Sequence, residues 1–77
     1  MNIVELKERL NEEKIPSNWY SINGYLASDI FVLQNVGDYW ETFYIDERGN
    51  QDNDYRRFDN ENDACIFFLN RLIEEKG

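Results

Sequence analysis

The sequence predicts a two-layer α+β fold with its elements in the order α-β-β-β-β-α. Apolar residues recur with helical spacing near both ends of the 77-residue chain, whereas the middle is rich in β-branched and aromatic residues. The connections between the predicted strands are short, so we expect an antiparallel β-meander of three or four strands. Both helices need an apolar surface to cover, and the simplest solution packs them on one face of the sheet. A chain of this length is expected to form a single domain over residues 1–77.

The first helix is predicted over residues 2–14. Asn2 and Glu5 have the spacing of an N-terminal capping box, with Asn in place of the usual Ser or Thr. Pro16 stops this helix and favours extended backbone just before it. One apolar stripe follows the helical period and consists of Ile3, Leu6 and Leu10.

Four strand-forming runs follow, at residues 19–22, 30–36, 39–46 and 51–58. The dipeptide Gly-Asp at 37–38 joins the second and third runs in a tight hairpin, and residues 47–50 form the next turn. Asn-Gly at 23–24 is also a turn signal, after which the stretch 25–29 is either a loop or a second short pairing. The first run can pair at either edge, so the strand order stays open.

The second helix is predicted over about residues 60–75, with Asp59 or Asn60 as its N-cap. Acidic residues in its first turn suit the positive end of the helix dipole. Its apolar face is wider than that of the first helix, so we expect it to be better buried. The stripe that defines this face is Cys65, Phe68, Leu69 and Leu72.

The charge of the chain is strongly acidic, with sixteen Asp and Glu against eight Lys and Arg and a formal net charge of −8. Residues 29–63 hold ten of the acids and three of the bases, so the excess lies in the middle of the chain. Such a field argues against nucleic acids and anionic membrane surfaces as partners. It favours a basic protein partner, or serves only to keep the chain soluble.

The residue inventory predicts no enzyme and no cofactor. The chain has no His and one Cys, which excludes ordinary zinc sites and nucleophilic triads. Cys65 lies on the apolar stripe of the second helix and is expected to be a buried thiol. The acidic loop lacks the twelve-residue calcium pattern, and the four glycines are too scattered for a phosphate-binding loop.

The location predicted from the sequence is the cytoplasm. No segment approaches the roughly 20 apolar residues that span a bilayer. The first ten residues carry four charged side chains where a signal peptide needs its apolar stretch. A single unpaired Cys is typical of a reducing compartment.

The strand at 39–46 points to a binding surface because it does not alternate cleanly between polar and apolar residues. We expect Phe43 and Ile45 to face the helices, which leaves Trp40 and Tyr44 on the exposed face. Tyr and Trp among acids are typical of protein-binding hot spots, although cross-strand aromatic pairs that only stiffen the sheet are an equal alternative. Acids cluster around the following hairpin. The predicted partner-binding residues are Trp40, Tyr44, Asp46, Glu47, Asp52, Asp54 and Asp59.

About three quarters of the chain, from Tyr20 onward, resembles small bacterial immunity proteins. The similarity lies in a W-E-x-(Y/F)-Y strand at 40–44, an E-R-G turn at 47–49 and an E-x-x-A-C helix opening at 61–65. Proteins of that group neutralise polymorphic toxins, including those of contact-dependent growth inhibition systems.

The resemblance implies a non-catalytic protein that binds and neutralises a cognate toxin domain in the cytoplasm, as a monomer or weak homodimer. Such toxins are often nucleases with a basic surface, where acidic side chains can stand in for phosphate. Two alternatives use the same features. One is a DNA-mimic or phage-type inhibitor of a host nuclease, and the other is a structural homodimeric subunit with Trp40 and Tyr44 at the self-interface.

Overall fold

A computed structural model describes residues 1–51 and 53–77 and confirms the α+β fold and the element order. A short 3₁₀ turn at Ser17–Trp19 precedes the first strand. The helices and strands are α1 (Ile3–Glu12), β1 (Tyr20–Ile22), β2 (Ile30–Val36), β3 (Tyr39–Ile45), β4 (Asn53–Phe58) and α2 (Glu61–Lys76).

The four strands form one sheet in the order β1-β2-β3-β4. β2, β3 and β4 pair antiparallel through short turns, as expected, and Gly37 in the first turn has a φ of 64°. The expectation of an entirely antiparallel meander is wrong at β1, which pairs parallel to β2.

The connection between β1 and β2 explains the parallel pairing. The backbone N–H of Asn23 donates to the carbonyl of Leu33 (2.8 Å), so the chain stays beside β2 after β1 ends. Asn23 then turns with a φ of 51°, and residues 23–29 carry the chain back to the start of β2. Asn-Gly at 23–24 therefore opens a crossover loop instead of a two-residue hairpin.

The main core lies between the sheet and the helices, and we call this side of the sheet the helix-covered face. Phe31 of β2 stacks on Phe68 of α2 with ring centroids 5.0 Å apart, and Tyr20 meets Phe68 edge-on at 6.2 Å. The buried residues of this core include Leu6, Leu10, Leu33, Cys65, Leu69 and Leu72.

A second buried cluster lies on the opposite side, which we call the loop-covered face. It consists of Ile30, Val32, Phe43 and Ile45. Ala27 of the crossover loop packs on this cluster, and the ring of Tyr55 stacks over Phe43 at 6.4 Å.

This second cluster corrects the predicted orientation of β3. The register pairs Val32 with Phe43 and Phe31 with Tyr44. Because Phe31 packs under α2, Tyr44 shares the helix-covered face and Phe43 points away from the helices. The prediction that Phe43 and Ile45 face the helices is therefore wrong.

The two helices lie side by side and run in the same direction. The backbone N–H of Ile3 donates to the carboxylate of Glu61 at 2.8 Å, and Lys76 bonds to the carbonyl of Glu13 at the other end. The side chains of Asn2 and Asn60 cap α1 and α2. Asn2 was predicted as the cap of α1, and Asn60 was one of the two residues predicted for α2. Neither described helix is long and apolar enough to cross a membrane.

Candidate functional site

A cleft of about 570 Å³ lies where the end of β3 meets the start of β4 and the last turns of α2. Ligand pockets commonly have volumes of about 300–1,000 Å³, so the size suits a ligand or a partner's side chain. We call it the acidic cleft. Its lining residues are Trp19, Asp29, Phe31, Tyr44, Asn53, Asp54, Arg71, Leu72 and Glu75.

The aromatic walls of the acidic cleft come from three separate elements. Parallel pairing places Tyr20 beside Phe31, so Trp19 at the end of the 3₁₀ turn reaches the same end of the sheet. Tyr44 pairs with Phe31 across β2 and β3 and is 37% exposed. Three aromatic residues therefore line one opening that water can enter.

The charged groups come from the start of β2, the start of β4 and the end of α2. Asp29 directly precedes β2, where its backbone N–H donates to the carbonyl of Ile45 at 2.7 Å. Arg71 and Glu75 stand one helical turn apart, which puts both on the same side of α2. Asp54 has a φ of 56° beside an irregularity in the β3–β4 pairing, a conformation that Asp tolerates better than most residues.

The balance of charge in the acidic cleft is negative, with three carboxylates against one guanidinium. Arg71 lies 2.5 Å from the carboxylate of Asp54, and Arg56 approaches the same carboxylate at 3.9 Å. Asp29 and Glu75 have no basic partner within residues 1–51 and 53–77. The acidic cleft therefore holds two carboxylates that form no ion pair with a base of the described residues, and its single guanidinium, Arg71, is paired with Asp54.

The pKa of the Tyr44 phenol responds to burial as well as to the acids of the cleft. Partial burial and the nearby carboxylate of Asp29 raise the pKa of the Tyr44 phenol above its ordinary 10.0, and Glu75 and Asp46 contribute in the same direction. The phenol donates a long hydrogen bond of 3.5 Å to Asp29. A cation at this position would relieve the repulsion that these acids create.

Two of the predicted site residues, Tyr44 and Asp54, line the acidic cleft. Trp40 does not, and its predicted position on an exposed face is wrong. It lies on the helix-covered face, half-buried, where it pairs with Phe58 and packs against the main core. Tyr44 shares that face but sits at the strand's other end, beyond the best-covered part of the sheet.

The predicted acidic cluster is divided between the two ends of the sheet. Asp46 and Glu47 follow β3 and lie at the same end as Asp54. Asp59 follows β4 and lies about 17 Å away, at about 3.3 Å per residue of strand. Asp52 lies outside the described residues.

Asp46 has a structural role in the turn after β3. Its carboxylate accepts hydrogen bonds from the backbone N–H groups of Arg48 and Asn50, each at 2.9 Å, and from the Asn53 amide at 3.3 Å. The bonds from Asn50 and Arg48 lower the pKa of Asp46 below its ordinary 3.8. Glu47 is exposed on the same turn and is free to meet a partner.

Sequence reasoning missed Trp19, Asp29, Arg71 and Glu75. No local motif marks them, because they come from segments 10 to 42 residues apart. The parallel β1–β2 pairing brings Trp19 to the cleft, and the packing of α2 on β2 brings Arg71 and Glu75 there. The one available signal was the spacing of Arg71 and Glu75, which identifies a charged side on α2.

Two findings concern the groups that most often carry chemistry, namely the thiol and clusters of metal ligands. Cys65 is completely buried, and this burial raises the pKa of its thiol to about 11. No group of three or more His, Cys, Asp or Glu side chains within residues 1–51 and 53–77 is arranged to hold a metal ion.

Exposed apolar side chains outside the acidic cleft come from the crossover loop and from β4. Tyr25 and Leu26 of the loop are 62% and 47% exposed, and Tyr55 of β4 is 47% exposed.

Comparisons with protein-family models, with curated proteins and with solved structures found no match to this chain.

Proposed function

We propose that this protein is non-catalytic and binds a basic protein domain, a cognate bacterial toxin domain, which it neutralises. The observation that carries the proposal is the acidic cleft, where aromatic side chains from three elements meet three carboxylates and only one guanidinium. Aromatic residues supply most of the energy in protein interfaces, and complementary charge supplies rate and specificity.

The charge of the whole chain supports a basic partner. A formal net charge of −8 on 77 residues creates a field that attracts a cationic surface and accelerates its approach. Such a surface is what a nuclease uses to grip phosphates, and acidic side chains can occupy it in their place. The resemblance of the chain to immunity proteins supplies the class of partner and the expected location in the cytoplasm.

The buried thiol and the absence of His support a function without catalysis. A thiol with a pKa of about 11 is almost entirely protonated at neutral pH and is a weak nucleophile. Neutralisation by tight binding needs no such group, since it depends only on covering the toxin's working surface.

The test is binding to the product of the gene immediately upstream, whose C-terminal domain would be co-expressed with this protein. The purified pair would be titrated by calorimetry at 50 and 500 mM salt. We expect a tight complex whose affinity falls at least about tenfold at high salt, because screening weakens surface charge interactions.

No complex at micromolar concentration would contradict the proposal. Binding to a host nuclease instead would favour the phage-type inhibitor. Self-association in sizing chromatography would favour the homodimeric subunit.

A further inference from the structure

We propose that the acidic cleft is a receptor for a guanidinium group, namely an arginine side chain of the basic protein partner. This inference rests on the proposed function and deepens it by naming the group that enters the site. The ligand is placed between the aromatic walls of Trp19 and Tyr44 and the carboxylates of Asp29 and Glu75.

The chain itself shows how this site treats a guanidinium. Arg71 enters the acidic cleft from α2, with one nitrogen 2.5 Å from Asp54 and its guanidinium carbon 5.9 Å from the ring centre of Phe31. A carboxylate and an aromatic ring therefore already hold one arginine inside the cleft. Asp29 and Tyr44 present a second carboxylate and a second ring in the same cleft, and within residues 1–51 and 53–77 no arginine pairs with that carboxylate or stacks on that ring.

Stacking of guanidinium groups on aromatic rings recurs elsewhere in this small fold. Arg57 lies 3.9 Å from the ring centre of Tyr39, and Arg56 lies 5.4 Å from that of Phe67. Three of the chain's five arginines are held in this way.

The geometry favours arginine over lysine. A guanidinium is planar, so it can lie against a ring face while its edge donates several hydrogen bonds. Two carboxylates from different elements, Asp29 before β2 and Glu75 on α2, offer acceptors in the same cleft. An ammonium group is a more strongly hydrated point charge and gains less from the rings.

The size of the acidic cleft indicates a side chain presented by a protein. At about 570 Å³ it has room for an arginine together with part of the backbone that carries it. The opening at Tyr44 lies beside the exposed Glu47 turn, so a partner that inserts an arginine would also meet that turn.

The test is an NMR titration of the ¹⁵N-labelled protein with N-acetyl-arginine amide, compared with the lysine and citrulline amides. Citrulline has the same shape as arginine and lacks the charge. We expect amide shifts confined to the acidic cleft and an affinity at least about fivefold higher for arginine than for citrulline. Equal affinities, or shifts that map elsewhere, would overturn the proposal.

Two double variants distinguish an effect of the acidic cleft from an effect of the net charge of the chain. Asp29→Asn with Glu75→Gln removes two charges from the acidic cleft, and Asn tolerates the φ of 63° at position 29. Asp38→Asn with Glu74→Gln removes two charges that lie outside it. We expect arginine amide binding to fall about tenfold or more in the first pair and less than twofold in the second.

The same variants separate this inference from the proposed function. If the upstream toxin domain binds both double variants equally, the arginine receptor is wrong and the proposed function stands. If arginine amide binds the acidic cleft but the toxin domain does not bind the protein, the receptor stands and the proposed function is wrong.

Discussion

The central strands β2 and β3 have buried residues on both faces of the sheet, and the two faces are covered by different means. The helix-covered face lies under α2, a helix of 16 residues, with α1 beside it. The loop-covered face is closed by the crossover loop at 23–29 and by the ring of Tyr55. Val32 on one face and Leu33 on the other are both completely buried. A strand in a small sheet can therefore be buried on both sides without a third layer of helices.

Cover on both faces explains why polar and apolar residues do not alternate along the central strands. In β2, four consecutive residues from Ile30 to Leu33 are buried, which is typical of strands covered on both faces. The same is true of Thr42 and Phe43 in β3. A failure of alternation, which suggested an exposed aromatic face, here reflects cover on both sides.

The largest expected effect comes from truncating matched phenylalanines on the two faces. Phe68→Ala should lower the free energy of unfolding by about 3–5 kcal/mol, because a rigid helix cannot collapse into the cavity left behind. Phe43→Ala should have a smaller effect, since the crossover loop can move inward. Urea unfolding followed by circular dichroism measures both, and equal losses would mean that the two covers are equally rigid.

The reactivity of a thiol should differ almost as strongly between the helix-covered face and the loop-covered face. Cys65 lies under the helices, and burial raises the pKa of its thiol to about 11. Ala27→Cys, in a Cys65→Ala background, places a thiol at the one half-buried position of the otherwise exposed crossover loop, where an ordinary pKa of about 8.5 is expected. At pH 8 the difference in thiolate fraction alone predicts that the thiol at position 27 is labelled at least about 100-fold faster than the thiol of Cys65. Similar labelling rates would show that the helix-covered face opens as easily as the loop.

A smaller and pH-dependent effect is expected at the turn that leads into β4. The folded-state pKa of Asp46 is lowered, so its charged form adds stability above the ordinary value of 3.8 and loses it as pH falls through the folded-state pKa. Asp46→Asn should therefore be less stable than the parent at pH 7, and the difference should shrink as the pH falls below 3.8 and through the folded-state pKa. Glu47→Gln serves as the control, because it removes a charge from the same turn but leaves the hydrogen bonds to the Asp46 carboxylate in place. Parallel pH profiles for the two variants would contradict the role given to Asp46.

The smallest effect is expected for the phenol that covers the loop-covered face. Tyr55 donates a 2.7 Å hydrogen bond to Glu41, and this bond raises the pKa of the phenol above 10.0. Its neutral form therefore adds stability below pH 10 that is lost as pH rises through the folded-state pKa. Tyr55→Phe should cost about 1 kcal/mol or less at pH 7, because the group is partly exposed.

Tyr55→Phe should also flatten the alkaline part of the stability curve, whereas Tyr25→Phe on the same face serves as the control. Thermal melts between pH 7 and 11 give both measurements. An alkaline profile of Tyr55→Phe equal to that of the parent would mean that the phenol of Tyr55 does not stabilise the loop-covered face.

The helices and the central hairpins were predictable because their signals are local. Asn2 and the stripe of Ile3, Leu6 and Leu10 define α1, and Gly37 defines the tight turn between β2 and β3. The parallel pairing of β1 was not predictable, since Asn-Gly at 23–24 is a hairpin signal and the crossover loop contains no helix.

The candidate site was predictable only in part for the same reason. Tyr44 and Asp54 belong to the aromatic strand and acidic turn that the sequence emphasised. Asp29 and Glu75 carry the uncompensated charge, but 46 positions separate them and only the tertiary fold brings them together. Trp40 was misplaced because the choice of covered face depends on the register with Phe31.

The side-by-side arrangement of the helices has a consequence for synthesis of the chain. Leu6 and Leu10 of α1 pack in the core that α2 completes, about 60 residues later in the sequence. At roughly 5–20 residues per second, the ribosome leaves this apolar stripe waiting for about 3–12 s before α2 is made. During that interval the nascent chain presents a short amphipathic helix and an uncovered sheet face, both suitable for a chaperone. A slowly translated codon within 61–76 would lengthen this exposure, whereas the same codon within α1 would not.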